Sequence, residues 1–349
     1  MVLSMYVDSD DSRGEDERVL AAAVEQSLLA AELGFNPWYT EHHFRGPWHS
    51  APLQFAAYIA PQLPADIRLG FGVLSVPYYH PVRLAEQMNL LDQLTKGRTL
   101  YGLGSGFPGD EAPSAGLTEE YHGSGQAARD NIEVLERLWD YQTGDQPYEF
   151  DTGTYRGRVV KRIVPGPYGN RRRPTIIRTA RTNQAAVESA RRGWPVFLGS
   201  FGADLIEQAE AYQSTVLTAD LSAEVVDECL RYSTVDWLGV VISEDEAELP
   251  GLVAEAQAER AALRARLPEA PRQVAAGGPK VIAGTPEQIA NELHFLHKLG
   301  IEHVLVRFLG EWHGQTRWIA ERSMRLFAEQ LIGEFDRGSR RRPLLAVSG

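Results

Sequence analysis

Short apolar runs alternate with amphipathic stretches along this chain, and that alternation limits its fold more tightly than any single motif. LSMYV (Leu3–Val7) reads as a strand. An acidic loop leads into a stretch of period 3.6 over Asp16–Leu33, with apolar residues at Val19, Leu20, Ala23, Val24, Leu28 and Ala31 and a stop at Gly34. The unit then recurs. Strand-like segments at Phe35–Thr40, Ile67–Val76, Arg98–Ser105, Pro174–Ala180, Trp194–Gly199, Arg231–Ser243 and His303–Phe308 are mostly separated by helical patterns. Parallel strands need crossovers of this kind. With about eight strands and no linker-like shift in composition, residues 1–335 are predicted to form one α/β domain, a (β/α)8 TIM barrel. Insertions are expected near 142–170, as a hairpin, and near 244–280, as a loop and helical lid; 336–349 reads as a flexible tail.

Composition narrows the function. The 349 residues are 43% apolar, enough for a large core, and the net charge is −12. Such a balance disfavours a nucleic-acid or anionic-membrane surface. The runs Arg171–Arg173 and Arg340–Arg342 read as solvated loop or tail charge. The single cysteine, Cys229, excludes an internal disulfide and a cysteine zinc site. With no secretory leader pattern and no apolar run of about 18 residues, the expectation is a soluble, cytoplasmic protein.

Chemistry concentrates at one strand end. YTEHHFRGPWHS (Tyr39–Ser50) sets a glutamate, two adjacent histidines and His49 after the second strand, in a chain with nine histidines. On a barrel the C-terminal strand ends carry the active site. Neighbours on an extended segment point to opposite sides, so His42 and His43 are not expected to share a metal ion. The chain also lacks HExxH, although a metal site drawn from distant strands stays open. An imidazole beside Glu41 suits acid–base work near neutral pH, with one histidine facing substrate and the other structural.

Elsewhere, Thr182 or Asn183 stands as an N-cap directly after a strand. The N–H groups of that helix start suit a phosphate, and Arg181 would add a charge. GLGSGFPG (Gly102–Gly109) has no Walker lysine, so its glycines are read as allowing close approach to a flat ligand. Trp38, Phe44, Trp48, Tyr78, Tyr79 and Phe107 are candidate linings of a pocket for an apolar or aromatic substrate, or packing at the barrel end.

EHHF, then LGFGVLSVPYYHP followed by AEQMNLLDQLTKGRTLYGLGSG, then KVIAGTPEQIANELHFLHKLGIEHVLVRF resemble the bacterial luciferase-like flavin-dependent monooxygenases in order and spacing over about residues 3–335. The resemblance implies a homodimeric (β/α)8 barrel that takes reduced FMN from a separate NAD(P)H:flavin reductase. It implies that molecular oxygen adds to the flavin, giving a C4a-(hydro)peroxide that oxygenates a small organic substrate. It makes His42 the catalytic imidazole, flanked by Glu41 and His43, and sets His80 near the active centre. Gly72-Val73 falls where the family often has a non-proline cis peptide beneath the flavin ring, and Arg181, Thr182 and Asn183 match its phosphate site, with Trp194 following.

Two positions depart from the luciferases. At the fourth strand end they carry a reactive cysteine and a phosphate-binding arginine, where this chain has Gly104 and Ser105. Where they have a glutamate, it has Arg181, which is expected to take over the lost arginine's role. Pro268–Lys280 is expected as a lid or an ordinary connector. Two other readings stay open. One is a deazaflavin- or flavin-dependent hydride-transfer oxidoreductase of the same fold, with Arg45, Arg178, Arg181 and Arg307 serving a long polar cofactor. The other is a non-catalytic flavin-binding subunit, against which His42 argues.

Overall fold

The computed structural model describes residues 1–7, 16–43, 49–106, 111–123, 125–198, 203–265 and 281–335. Phe44, Arg45, Trp48, Phe107, the expected lid Pro268–Lys280 and the expected tail 336–349 lie outside the described residues.

In chain order come β1 (Val2–Tyr6), α1 (Asp16–Glu32), β2 (Asn36–Tyr39), α2 (Pro52–Ile59), β3 (Leu69–Ser75) and α3 (Pro81–Leu94). β4 (Thr99–Gly104) precedes the short helices α4 (Glu111–Ser114) and α5 (Glu119–Gly123), then α6 (Gln126–Asp140). The expected hairpin is present as β5 (Tyr148–Asp151) and β6 (Arg156–Val159). β7 (Thr175–Ala180), α7 (Asn183–Arg191), β8 (Val196–Leu198), α8 (Ala203–Thr218) and α9 (Ala223–Arg231) follow. The remaining elements are β9 (Thr234–Ile242), α10 (Leu249–Arg264), β10 (Ile282–Gly284), α11 (Pro286–Lys298), β11 (His303–Phe308) and α12 (Arg317–Phe327).

Strands β9, β11, β1, β2, β3, β4, β7 and β8 are neighbours in that order, and β8 pairs back to β9. They close a parallel (β/α)8 barrel, as the alternation predicts. β10 pairs with β9 as an additional parallel strand.

The chain divides into two compact units, one holding Met1–Trp38 with the described chain from Ile177 onward, the other holding Tyr39–Ile176. In the first unit Leu3, Met5, Val235, Trp237, Val304 and Val306 pack against helix residues such as Tyr212, Leu293 and Phe327. Each fully buried apolar side chain of this size contributes about 1.5–3 kcal/mol. Strand side chains alternate, so Ser4, Tyr6, Thr234, Asp236, His303 and Arg307 share the opposite face. There Ser4 Oγ and Thr234 Oγ1 each lie 2.8 Å from a ring nitrogen of His303. Trp38 packs on the same ring, centroids 5.1 Å apart, and is fully buried. It belongs to the packed interior, the packing alternative for that residue. The AGTPEQI segment starts α11 with a capping box: Thr285 Oγ1 accepts from Gln288 N, and Gln288 Oε1 accepts from Thr285 N at 2.9 Å.

In the second unit the basic run before β7 is a tie rather than solvated charge. Arg171 Nη2 grips both oxygens of fully buried Asp92 on α3 at 2.7 and 2.8 Å, and Arg172 pairs with Asp140. Between Phe71 and Leu74 the β3–β4 register shifts, and Gly102 lies under the Phe71 carbonyl. A Cβ on Gly102 would stand 2.2 Å from that oxygen, so only glycine fits.

Candidate active site

All the geometry around EHH lies within the second unit. Leaving β2, Thr40 Oγ1 donates to Gly72 O at 3.0 Å and Glu41 N donates to Val73 O at 3.3 Å. The peptide joining Gly72 and Val73 is cis, as the resemblance implies. On the other side His49 N donates to Thr40 O at 3.0 Å and His42 N to His49 O at 3.3 Å. The segment is therefore held on both sides by backbone. His49 is buried between Tyr39 and Phe55, with ring centroids at 5.1 and 4.6 Å, and its role is packing.

Held this way, successive side chains diverge to two different carboxylates. Glu41 is 1% exposed. Its Oε2 accepts from Ser75 N at 2.6 Å, its Oε1 accepts from the Tyr79 hydroxyl, and that oxygen lies 3.4 Å from His43 Nε2. Bonding to Glu41 raises the His43 pKa above its ordinary value, against the opposing pull of burial. Burial, reinforced by Glu41, pushes Tyr79 far above the usual phenol range, so Tyr79 stays a neutral donor. Asn131 on α6 fixes the turn that presents it, its Nδ2 donating to Val76 O at 3.0 Å and Tyr79 O at 3.1 Å.

His42 points the other way. Its Nδ1 lies 3.1 Å from Oε1 of Glu111, a carboxylate with no exposed side-chain surface at the start of α4. A carboxylate there accepts the Nδ1 proton and leaves the lone pair on Nε2. An imidazole so oriented can take up or release a proton at Nε2.

Glu111 and Tyr79 have sharper roles than the sequence showed: Glu111 is absent from the sequence-based site and Tyr79 enters it only as a pocket aromatic. Tyr78 does join the group, edge-on to His43 at 5.5 Å. Gly106, at φ +77°, passes so close that a Cβ would stand 2.9 Å from the Tyr78 hydroxyl. Gly104 ends β4, and Ser105 follows it. His80 faces the hairpin instead, packed edge-on to Phe150 at 5.8 Å and Tyr155 at 5.3 Å, so the structure groups it with packing aromatics.

In the first unit Arg181, Thr182 and Asn183 are exposed at the β7–α7 junction. Thr182 Oγ1 caps the helix by accepting from Ala185 N at 3.2 Å. The first-turn N–H groups of Asn183 and Gln184 have no helical carbonyl to bind. Together with the Arg181 guanidinium they form a donor set that fits a phosphate. Trp194 is not part of it. It is buried past the far end of α7, with the guanidinium groups of Arg178 and Arg192 over its indole at 5.4 and 5.3 Å. Among the described residues no cluster of three or more His, Cys, Asp or Glu could hold a metal ion, and no helix is long and apolar enough to cross a membrane.

Comparison with known proteins bears on the fold and the family. Limonene 1,2-monooxygenase of Rhodococcus erythropolis is 29% identical over 196 residues, which is 50% of this chain and 49% of that one. The chain thus spans about half the length of that relative. Among solved structures, the monooxygenase RslO1 from Streptomyces bottropensis superposes with a TM-score of 0.74 at 20% identity, covering 96% of this chain and 100% of its own. The oxygenating constituent of 3,6-diketocamphane monooxygenase from Pseudomonas putida, in complex with FMN, gives 0.67 at 16% identity over 95% and 97%. At these identities the two structures show the fold alone. The sequence pattern of the luciferase-like monooxygenases matches residues 1–303, and the chain belongs to that family.

Proposed function

We propose that the protein is a two-component monooxygenase that uses reduced FMN and molecular oxygen to oxygenate a small organic substrate. A separate NAD(P)H:flavin reductase would supply the flavin, and the working form would be a homodimer. The observation that carries the reading is the His42–Glu111 pair at the end of β2, an imidazole oriented for proton transfer where this fold keeps its chemistry. The exposed donor set at Arg181, Thr182 and Asn183 fits the phosphate of FMN.

When bound, reduced FMN supplies the electrons that let oxygen react with an organic substrate. The protein's own part is positioning and proton control. Glu111 holds His42 with Nδ1 protonated, and Nε2 takes or gives the proton. Glu41, bonded to Ser75 N and Tyr79, favours the charged form of His43 beside it.

Anaerobic titration with reduced FMN, followed by rapid mixing with oxygen, tests the proposal. Saturable binding is expected, then flavin oxidation through a transient absorbance whose lifetime changes in His42→Ala. Binding of a deazaflavin in place of reduced FMN would move the protein to hydride transfer. The phosphate assignment has its own control. Arg181→Ala should weaken FMN much more than riboflavin, and equal weakening of both would overturn it.

A further inference from the structure

We infer that Asp236 and Arg307 form a buried polar reader of the substrate, favouring neutral molecules with a hydroxyl or carbonyl oxygen over plain hydrocarbons and over carboxylates. The inference rests on the monooxygenase reading and names the substrate class of that reading; it concerns the first unit alone.

Register sets up the cluster. β9, β11 and β1 are adjacent parallel strands. Asp236 is level with Leu305, so Arg307 stands two residues farther toward the C-terminal ends on the same face. Met5 is level with Val306, which puts Tyr6 beside Arg307. This face is the one turned away from the helices, because Val235, Trp237, Val304, Val306, Leu3 and Met5 fill the helix side. Arg307 is 8% exposed, and its guanidinium carbon lies 5.0 Å from the centre of the Tyr6 ring.

An ionisable pair in such a place is not needed for packing. Buried ion pairs are commonly matched or bettered in stability by apolar side chains of similar volume. Farther down the same face, Ser4, His303 and Thr234 already satisfy one another through two 2.8 Å contacts. Asp236, by contrast, keeps part of its surface open. Burial lifts its carboxyl to about 6 while the charge of Arg307, near enough to be felt, pulls it back.

That pairing has a definite chemical preference. Arg307 can donate to a carbonyl or hydroxyl oxygen, and Asp236 can accept from a hydroxyl. A hydrocarbon would strip water from both groups and return no hydrogen bond. A carboxylate attracted by Arg307 would be repelled by Asp236. The expected apolar or aromatic substrate is thereby narrowed to one with an apolar body and a neutral oxygen function.

Four probes sharing one ring test this: ethylbenzene, acetophenone, 1-phenylethanol and benzoate, titrated into flavin-free protein and followed by tryptophan fluorescence. Acetophenone and 1-phenylethanol are expected to bind at least about tenfold tighter than ethylbenzene and benzoate, since a site built for hydrogen bonds rejects analogues that lack them. The double variant Asp236→Leu/Arg307→Met removes both charges, leaves neither unpaired, and should abolish the preference. Asp236→Asn, which keeps the donor, should retain acetophenone and admit benzoate. Equal binding of all four probes, no binding of the oxygenated ones, or an unchanged order in the double variant would overturn the inference. The titration needs neither flavin nor oxygen, so its failure is separable from failure of the monooxygenase reading.

Discussion

Nδ1 of His42 lies 3.1 Å from Oε1 of Glu111, 69 residues farther along the chain. The carboxylate is buried and the imidazole is nearly so, with 13% of its side chain exposed, which makes the contact a strong constraint on ring orientation. Glu111→Gln keeps the size and removes the charge. The histidine ring should then lose its single tautomer, visible in 15N NMR as mixed Nδ1–H and Nε2–H forms. Oxidation of bound reduced FMN coupled to substrate should slow by about 10–100-fold, the usual loss when the partner of a functional histidine is removed. A variant with the same tautomer and the same kinetics would show that Glu111 only fills space.

His43 gives a pH dependence with a fixed sign. Its folded pKa is raised above the ordinary 6.5, chiefly by its bond to Glu41. Protonated His43 therefore contributes stability that is fully present below the unfolded value and is lost as pH rises through the folded value. Thermal melting of the wild type and His43→Gln, compared from about pH 5.5 to about pH 9, should show the largest gap at the acid end. A gap that grows with pH would mean that the pair with Glu41 does not hold the charge.

Tyr79→Phe deletes one donor to a buried carboxylate and leaves the ring in place. Glu41 would keep the Ser75 N–H and its ion pair with His43. Loss of one hydrogen bond to a buried acceptor costs about 1–3 kcal/mol, to be read from urea unfolding. Because burial holds the folded Tyr79 phenol far above its ordinary value, that loss should be constant up to about pH 10 and shrink above it, where the unfolded phenol ionises. A stability loss that already disappears between neutral pH and about pH 9 would contradict the assignment.

These three sites differ in how well the sequence showed them. The βα alternation is a short-range signal, and β11 falls at the expected His303–Phe308 because an apolar run there is sharply bounded. EHHF was legible because the ends of parallel strands are where this fold does chemistry, and divergence of adjacent side chains follows from strand geometry alone. The carboxylate each histidine would meet was not legible. Glu111 follows a glycine-rich segment and has no periodic neighbour to mark it, and only tertiary folding brings it to His42. The same limit explains the misplaced residues. Trp194 and His80 stand beside turns, where aromatics often bind ligands, but partners far along the chain or on a neighbouring element draw them into packing. β10 has three residues and α9 nine, too short for their periods to separate from the surrounding sequence.

Gly102 should accept no side chain. A Cβ would meet Phe71 O at 2.2 Å and the Val73 side chain at 3.0 Å, and the first of these is backbone that cannot rotate away. Gly102→Ala is expected to destabilise by at least about 1–3 kcal/mol, the range for overpacking, with the loss measured by denaturant unfolding. Since Val73 O also receives Glu41 N, the shifted strand should disturb the chemical shifts of His42 and His43 as well. Gly116, where an added Cβ would meet nothing within 4 Å, is the control for space, though its positive φ carries its own cost.

Arg171 provides the clearest separation of charge from packing. Its guanidinium closes on Asp92, which also accepts from Tyr168 N at 2.8 Å and Thr99 Oγ1 at 3.0 Å. Asp92 is fully buried, whereas Arg171 keeps 22% of its side-chain surface. Removing only the cation strands a buried carboxylate, which costs about 3–5 kcal/mol in enclosed sites, and partial access of water to Arg171 puts the expected loss at the low end. Removing both charges should cost less than removing one. Arg171→Met is therefore predicted to lower the urea midpoint clearly, and Asp92→Leu/Arg171→Met to recover most of the loss, short of the part owed to Tyr168 N and Thr99. If the double variant were less stable than the single one, the network of hydrogen bonds on Asp92, and not the ion pair, would be what fastens the segment before β7 to α3.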